Sequence, residues 1–236
     1  HGGNDAGAKA ADGTLEKDLT LAIAKKVKEL NTNEKIKIVM SRETDIFPPL
    51  QSRVDYTKEN NADLFLSLHI NNSPDKTQNG SEAIVSAKNN LFEKQNSSLA
   101  ASIISSIADV WKVNTEIKKR QMGVWVLDNA PCPSVLIECG YISNEKDLAF
   151  IKQEQNQEKI AQAILDGIIK YLMFSTESSP SEMSISFDKS DTLPKKTTPD
   201  NGNKVFDKVE VEAAFPGGDA KWRQYLARSL NADVPI

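Results

Sequence analysis

Up to about residue 174, apolar residues recur at two different periods. Spacings of three and four join Leu19, Ile23, Val27 and Leu30, then Leu99, Ile103, Ile107, Val110 and Trp111, then Ile160, Ile164, Ile168 and Leu172. Each set draws one apolar stripe along a helix. Between them, short runs rich in aliphatic residues predict strands at 35–40, 63–69, 81–87, 123–127 and 134–139. Helices alternating with strands imply an α/β layered fold with a largely parallel sheet over residues 1–174.

The pattern stops at residue 175. From 175 to 203, Ser, Thr, Pro, Asp and Lys dominate, with too little apolar surface to offset chain entropy, so a disordered linker is expected. Residues 204–236 regain a pattern. Val205-Phe206-Asp207-Lys208-Val209-Glu210-Val211-Glu212 alternates like a strand, Phe215-Pro216-Gly217-Gly218-Asp219 turns, and Trp222, Tyr225, Leu226 and Leu230 mark a short amphipathic helix. This α+β fragment is too small to be a stable domain alone.

Composition narrows the function classes. The 236 residues are 39% hydrophobic and 26% charged, an ordinary globular balance. No apolar run reaches the roughly 20 residues that a membrane span needs. A net charge of −4 supplies no basic surplus for phosphates, so nucleic acid is not the expected partner. Cys132 and Cys139 are too few for a disulfide framework, and nothing requires them to bridge. His1 is not a natural start residue, so an upstream segment is expected.

The chemistry concentrates at a few positions. Only two histidines occur. His1 opens a glycine-rich loop, His1-Gly2-Gly3-Asn4-Asp5-Ala6-Gly7-Ala8. His69 ends the apolar run Leu64-Phe65-Leu66-Ser67-Leu68, at the carboxyl end of a strand where open α/β sheets bind ligands. Glu16 falls in the first turn of the first helix, where an acid suits the positive helix end. Its spacing to Leu19 and Ile23 also turns it toward the core, and a buried carboxylate needs a partner, of which a metal is one. Two imidazoles and a carboxylate with an open fourth position would suit catalytic zinc, but their dispersion along the chain leaves the set unreadable from spacing, and a hydrogen-bonded core histidine is the structural alternative for His69. Glu138 ends the aliphatic run Val135-Leu136-Ile137, where an unpaired acid is costly. An ion pair with Arg120 or Arg42 is the structural explanation; a general base is the chemical one. Cys139 alternates to the opposite strand face and reads as a small buried hydrophobe.

Taken in order, His1-Gly2-Gly3-x-Asp5-x-Gly7-Ala8, Glu16, Ser41-Arg42-x-Thr44-Asp45, Asn61-Ala62-Asp63-Leu64-Phe65-Leu66-Ser67-Leu68-His69-Ile70-Asn71, Gly80-Ser81-Glu82 and Val135-Leu136-Ile137-Glu138-Cys139-Gly140-Tyr141-Ile142-Ser143-Asn144 resemble the zinc-dependent N-acetylmuramoyl-L-alanine amidases. The resemblance implies a mixed, largely parallel twisted sheet of six strands flanked by helices, Zn²⁺ held by His1, Glu16 and His69, and Glu138 as catalytic acid/base. It also implies peptidoglycan as substrate and a periplasmic or cell-envelope location. Arg42, Asn71 and Arg120 become candidates for substrate contact or for supports behind the ligands. Ser41 replaces a commoner Thr, Ile70 a small residue, and Cys139 a Thr. The strand that precedes the His-Gly-Gly loop in the family is missing, which predicts an unfilled sheet position and a frayed His1. Residues 88–95 are expected to form no more than a small flap.

The tail segment Val209-Glu210-Val211-Glu212-Ala213-Ala214-Phe215-Pro216-Gly217-Gly218 resembles the opening of the carboxy-terminal domain of TonB-type energy transducers. That implies an appended module docking an envelope activator or partner protein. Two rivals to amidase activity remain at this level. One is a non-catalytic peptidoglycan-binding scaffold; the other is a zinc peptidase acting on the stem peptide.

Overall fold

The computed structural model describes residues 1–177 and 209–212, with only the backbone for 175–177 and 209–212. Beyond its first three residues the expected linker lies outside the described residues, as does the tail except Val209–Glu212. After the glycine-rich loop come α1 (Glu16–Leu30), β1 (Ile38–Met40), α2 (Leu50–Glu59), β2 (Leu64–Asn71) and β3 (Glu82–Ser86). They are followed by α3 (Glu93–Ile107), β4 (Lys118–Arg120), α4 (Trp125–Asn129), β5 (Ser134–Tyr141), α5 (Glu145–Ile151), α6 (Glu154–Glu177) and β6 (Val209–Glu212).

The strands form one sheet in the order β1-β6-β2-β5-β3-β4. All pairings are parallel except β3 with β5. The expected mixed, mostly parallel sheet is therefore the observed one. No gap remains between β1 and β2, because β6 pairs with both, Ile38 and Leu64 each meeting Val209. The expected unfilled sheet position is not found there.

Two local expectations are corrected. Residues 123–127, read as a strand, lead into helix α4, which buries Val126 and Leu127. A short apolar run has no period long enough to tell strand from helix. The edge strand β4 was not anticipated, because Lys118, Lys119 and Arg120 carry no apolar signal, as suits an edge that must resist further pairing. Helix α6 also runs three residues beyond the boundary expected at Phe174. Residues 88–95 form a 3₁₀ turn, Asn90–Phe92, that runs directly into α3 at Glu93.

Alternation divides the sheet into two faces. On one, Leu64, Leu66, Leu68 and Ile70 of β2, Ala83 and Val85 of β3, and Val135, Ile137 and Cys139 of β5 join the stripes of α1, α3 and α6 in a continuous aliphatic core. The other carries Phe65, Ile84 and Leu136 in a smaller cluster with Val54 of α2 and with Val126 and Leu127 of α4. Higher on that second face, at the carboxyl ends of β2 and β5, polar residues replace apolar ones. Cys132 and Cys139 belong to different clusters, and both thiols are free.

Candidate active site

The glycine-rich loop folds back so tightly that two of its glycines are indispensable. At Gly2, with φ of 150°, a Cβ would lie 1.9 Å from the Ile46 carbonyl oxygen. At Gly7, with φ of 67°, it would lie 2.7 Å from both Glu16 Oε2 and the His1 ring. Paired hydrogen bonds between Gly2 and Asp5 close the turn. Asp45 then braces it by accepting from the Gly3 N–H at 2.7 Å and from Lys17 Nζ at 2.6 Å. Arg42, buried, donates to the carbonyls of Lys17 at 2.7 Å and Thr44 at 3.2 Å. The Ser41 to Asp45 motif is thus a brace for the loop.

Folded this way, the loop delivers His1 to the sheet. His1, expected to fray, is fully buried. Its Nδ1 lies 2.7 Å from Asp5 Oδ2 and its Nε2 3.4 Å from Glu16 Oε2. Glu16, also fully buried at the start of α1, accepts from the Ala8 N–H at 2.8 Å and the Ile70 N–H at 3.1 Å, and its Oε1 lies 3.1 Å from His69 Nδ1. Ser67 Oγ is 3.2 Å from His69 Nε2.

Ligand atoms of His1, Glu16 and His69 all lie within 4.8 Å of one another. The trio scattered over 69 positions of sequence is therefore one cluster. Burial would lower the His1 imidazole, but the Glu16 and Asp5 carboxylates beside it lift it to about 9. Burial would raise Glu16, but the two imidazoles outweigh it and hold the carboxyl low. Burial keeps His69 low, hence neutral. Two nitrogens and one carboxylate oxygen, with no room for a Cβ at Gly7, fit a divalent cation, and His1 backed by Asp5 is the usual histidine–carboxylate support of a metal ligand.

Glu138 stands directly across from His69 in the β2–β5 register, on the same face. It is 5% exposed, and its Oε2 has no hydrogen-bond partner among the described residues. Among the described residues no ion pair joins it to Arg42 or Arg120, and Arg120 reaches it only through its longer-range charge. Burial, then the charge of Glu16, pushes its carboxyl well above the ordinary range, while the Arg120 charge opposes this. Arg120 lies half-buried at the end of β4. Asn71 ends β2, with its Nδ2 3.5 Å from Glu82 Oε2.

Sequence reasoning missed several members of this site. Asp5 was legible as an acid four residues from His1 inside a glycine turn. Glu82 carried the same signal as Glu138, an acid in an aliphatic strand. Ser67, Lys118 and Tyr141 had no such mark.

The chain and its fold are similar to those of known proteins. Residues 1–170 match the family described as N-acetylmuramoyl-L-alanine amidase. The amidase LytC of Bacillus subtilis is 36% identical over 177 residues, which are 72% of this chain and 34% of LytC, so the chain spans about a third of that relative. The CwlD amidase of Clostridioides difficile, solved in complex with the GerS lipoprotein, is 32% identical with a TM-score of 0.67, covering 74% of this chain and 95% of CwlD. AmiC2 of Nostoc punctiforme is 31% identical with a TM-score of 0.63, covering 73% and 93%. On the family match across residues 1–170, this chain belongs to the N-acetylmuramoyl-L-alanine amidases.

Proposed function

We propose that the chain is a zinc-dependent hydrolase of peptidoglycan, cutting the amide between the lactyl group of N-acetylmuramic acid and L-alanine of the stem peptide. Wall remodelling or daughter-cell separation is the process it would serve. The observation that carries this reading is the unpartnered Glu138 Oε2, held in a buried row beside His69. Such a carboxyl is costly to a fold and useful to a reaction.

His1, Glu16 and His69 would hold the zinc. When bound, zinc supplies an activated water at neutral pH and a polarised amide carbonyl. Glu138 Oε2 takes the proton of the attacking water. It then returns that proton to the L-alanine nitrogen, which leaves as an amine; without it the nitrogen would be a very poor leaving group. Ile70 and Ala8, through their N–H groups, fix the Glu16 carboxylate so that one oxygen faces each imidazole. Asp5 fixes the His1 ring.

The same reading places the protein at the cell envelope. No helix of the described residues is long and apolar enough to cross a membrane. Of residues 204–236, the part beyond β6, which itself pairs with β1 and β2, would serve as the module that docks an envelope partner. Mass spectrometry of products released from purified sacculi by the full-length protein tests the bond that is cut. Intact stem peptides with a free L-alanine amino terminus are expected. Shortened stem peptides would make it a peptidase instead, and no product with sacculi still bound would make it a scaffold.

A further inference from the structure

A second acid lies buried on the active face, and the reaction as derived gives it no task. Glu82 opens β3, is 2% exposed, and stands directly opposite Glu138 in the antiparallel β3–β5 register. Since Glu138 also faces His69 across β2–β5, three adjacent strands place His69, Glu138 and Glu82 in one row. Like charges directly opposite one another destabilise a sheet, so this pairing needs a reason beyond folding.

The two acids are treated in opposite ways. Glu82 is fully partnered: Oε1 accepts from the Tyr141 hydroxyl at 2.9 Å, and Oε2 accepts from Lys118 Nζ at 2.6 Å with Asn71 Nδ2 at 3.5 Å. Each donor comes from a different strand, Tyr141 three residues beyond Glu138, Lys118 on β4 and Asn71 two residues beyond His69. Asn71 Oδ1 in turn accepts from the Asn72 N–H at 2.8 Å, so the amide is held at both ends. Glu138 keeps Oε2 without a partner.

We infer that Glu82 is a positioning residue for the reaction, tying Tyr141, Lys118 and Asn71 into a rigid flank that aims the Glu138 carboxyl without touching substrate. A fixed carboxylate also denies Glu138 the donors that would otherwise capture it, since Tyr141 and Lys118 are already engaged. The Glu82 charge adds to burial and to Glu16 in keeping the Glu138 carboxyl raised. The inference rests on Glu138 being the acid/base.

The test is Glu82→Gln made in the native chain and again in the Glu138→Gln chain, with turnover of sacculi, zinc content and melting temperature read for each. Glutamine matches the shape but presents an NH₂ where acceptors are needed. In the native chain kcat should fall about 10- to 100-fold with KM within about 2-fold and zinc retained, the range typical of a support lost behind a functional group. In the Glu138→Gln chain the same change should cost nothing further, because the group it aims is already disabled. Tyr141→Phe, which keeps the ring and removes only the hydroxyl, should give part of the loss and add nothing to Glu82→Gln. Near-native kcat in Glu82→Gln, an equal loss in both backgrounds, or loss of zinc in step with activity would each overturn the inference. Should Glu82→Gln fail to fold, native kcat in Tyr141→Phe overturns it. Full activity of Glu138→Gln alone would instead remove the acid/base assignment, and this inference with it.

Discussion

The two faces of the sheet are made from the same strands and do different work. On β2, Leu66 and Leu68 point into the aliphatic core under α1, α3 and α6, while Ser67 and His69 point to the face that α2 and α4 only partly cover. On β5, Ile137 and Cys139 lie on the first face and Glu138 on the second. Every residue of β5 is buried, so burial alone does not distinguish core from chemistry. The distinction is whether a buried group is apolar, paired, or left unpaired, and it changes with each step along the strand because side chains alternate. The lesson is that adjacent substitutions should separate stability from activity.

The largest expected effect comes from the chemical face. Glu138→Gln preserves size but cannot take a proton, so turnover of sacculi should fall roughly 10²–10⁴-fold with zinc content unchanged. Its neighbour gives the opposite result. Ile137 is fully buried, and Ile137→Ala should lower stability by about 2–5 kcal/mol in denaturant unfolding while the folded fraction keeps native specific activity. If Ile137→Ala lost activity in the folded fraction, the two faces would not be separable.

Asp5→Asn probes the support behind His1. Zinc affinity measured by competition with a chelator should weaken about 10- to 100-fold, with little change in melting of the chelator-treated protein.

A smaller effect follows from the raised Glu138 carboxyl. A folded-state pKa above the unfolded one means the stabilisation is complete below about pH 4.3 and is lost as pH rises toward the folded-state value. Chelator-treated native protein should therefore lose about 1.4 kcal/mol per pH unit across that window relative to Glu138→Gln. Identical slopes for the two proteins would show that Glu138 ionises as it does in the unfolded chain. Smallest of all is the effect of the exposed Lys152–Asp12 pair. Lys152→Ala should leave melting and turnover unchanged within error, since exposed ion pairs contribute little.

What could be read beforehand follows the same division. The aliphatic face was legible because helical stripes such as Leu99, Ile103 and Ile107 and strand runs such as Val135 to Ile137 carry a strong period. Glu138 was legible as an acid in the wrong surroundings. The cluster of His1, Glu16 and His69 depended on the family resemblance, because long-range assembly leaves no local spacing to read. Lys118 to Arg120 was missed because an edge strand needs no apolar residue, and 123–127 was misread because Val124, Val126 and Leu127 satisfy strand and helix alike. The pairing of β6 between β1 and β2 is a backbone choice made across the fold, and no residue of Val209–Glu212 announces its partners.

The most direct test of the account is zinc bound per folded chain in His69→Ala and in Leu68→Ala, adjacent residues on opposite faces of β2, both almost completely buried. Leu68→Ala should melt earlier yet keep about one zinc per chain, while His69→Ala should fold and lose it, one of three protein ligands being gone. Zinc retained in His69→Ala, or lost from folded Leu68→Ala, would contradict the assignment of chemistry to one face and core to the other.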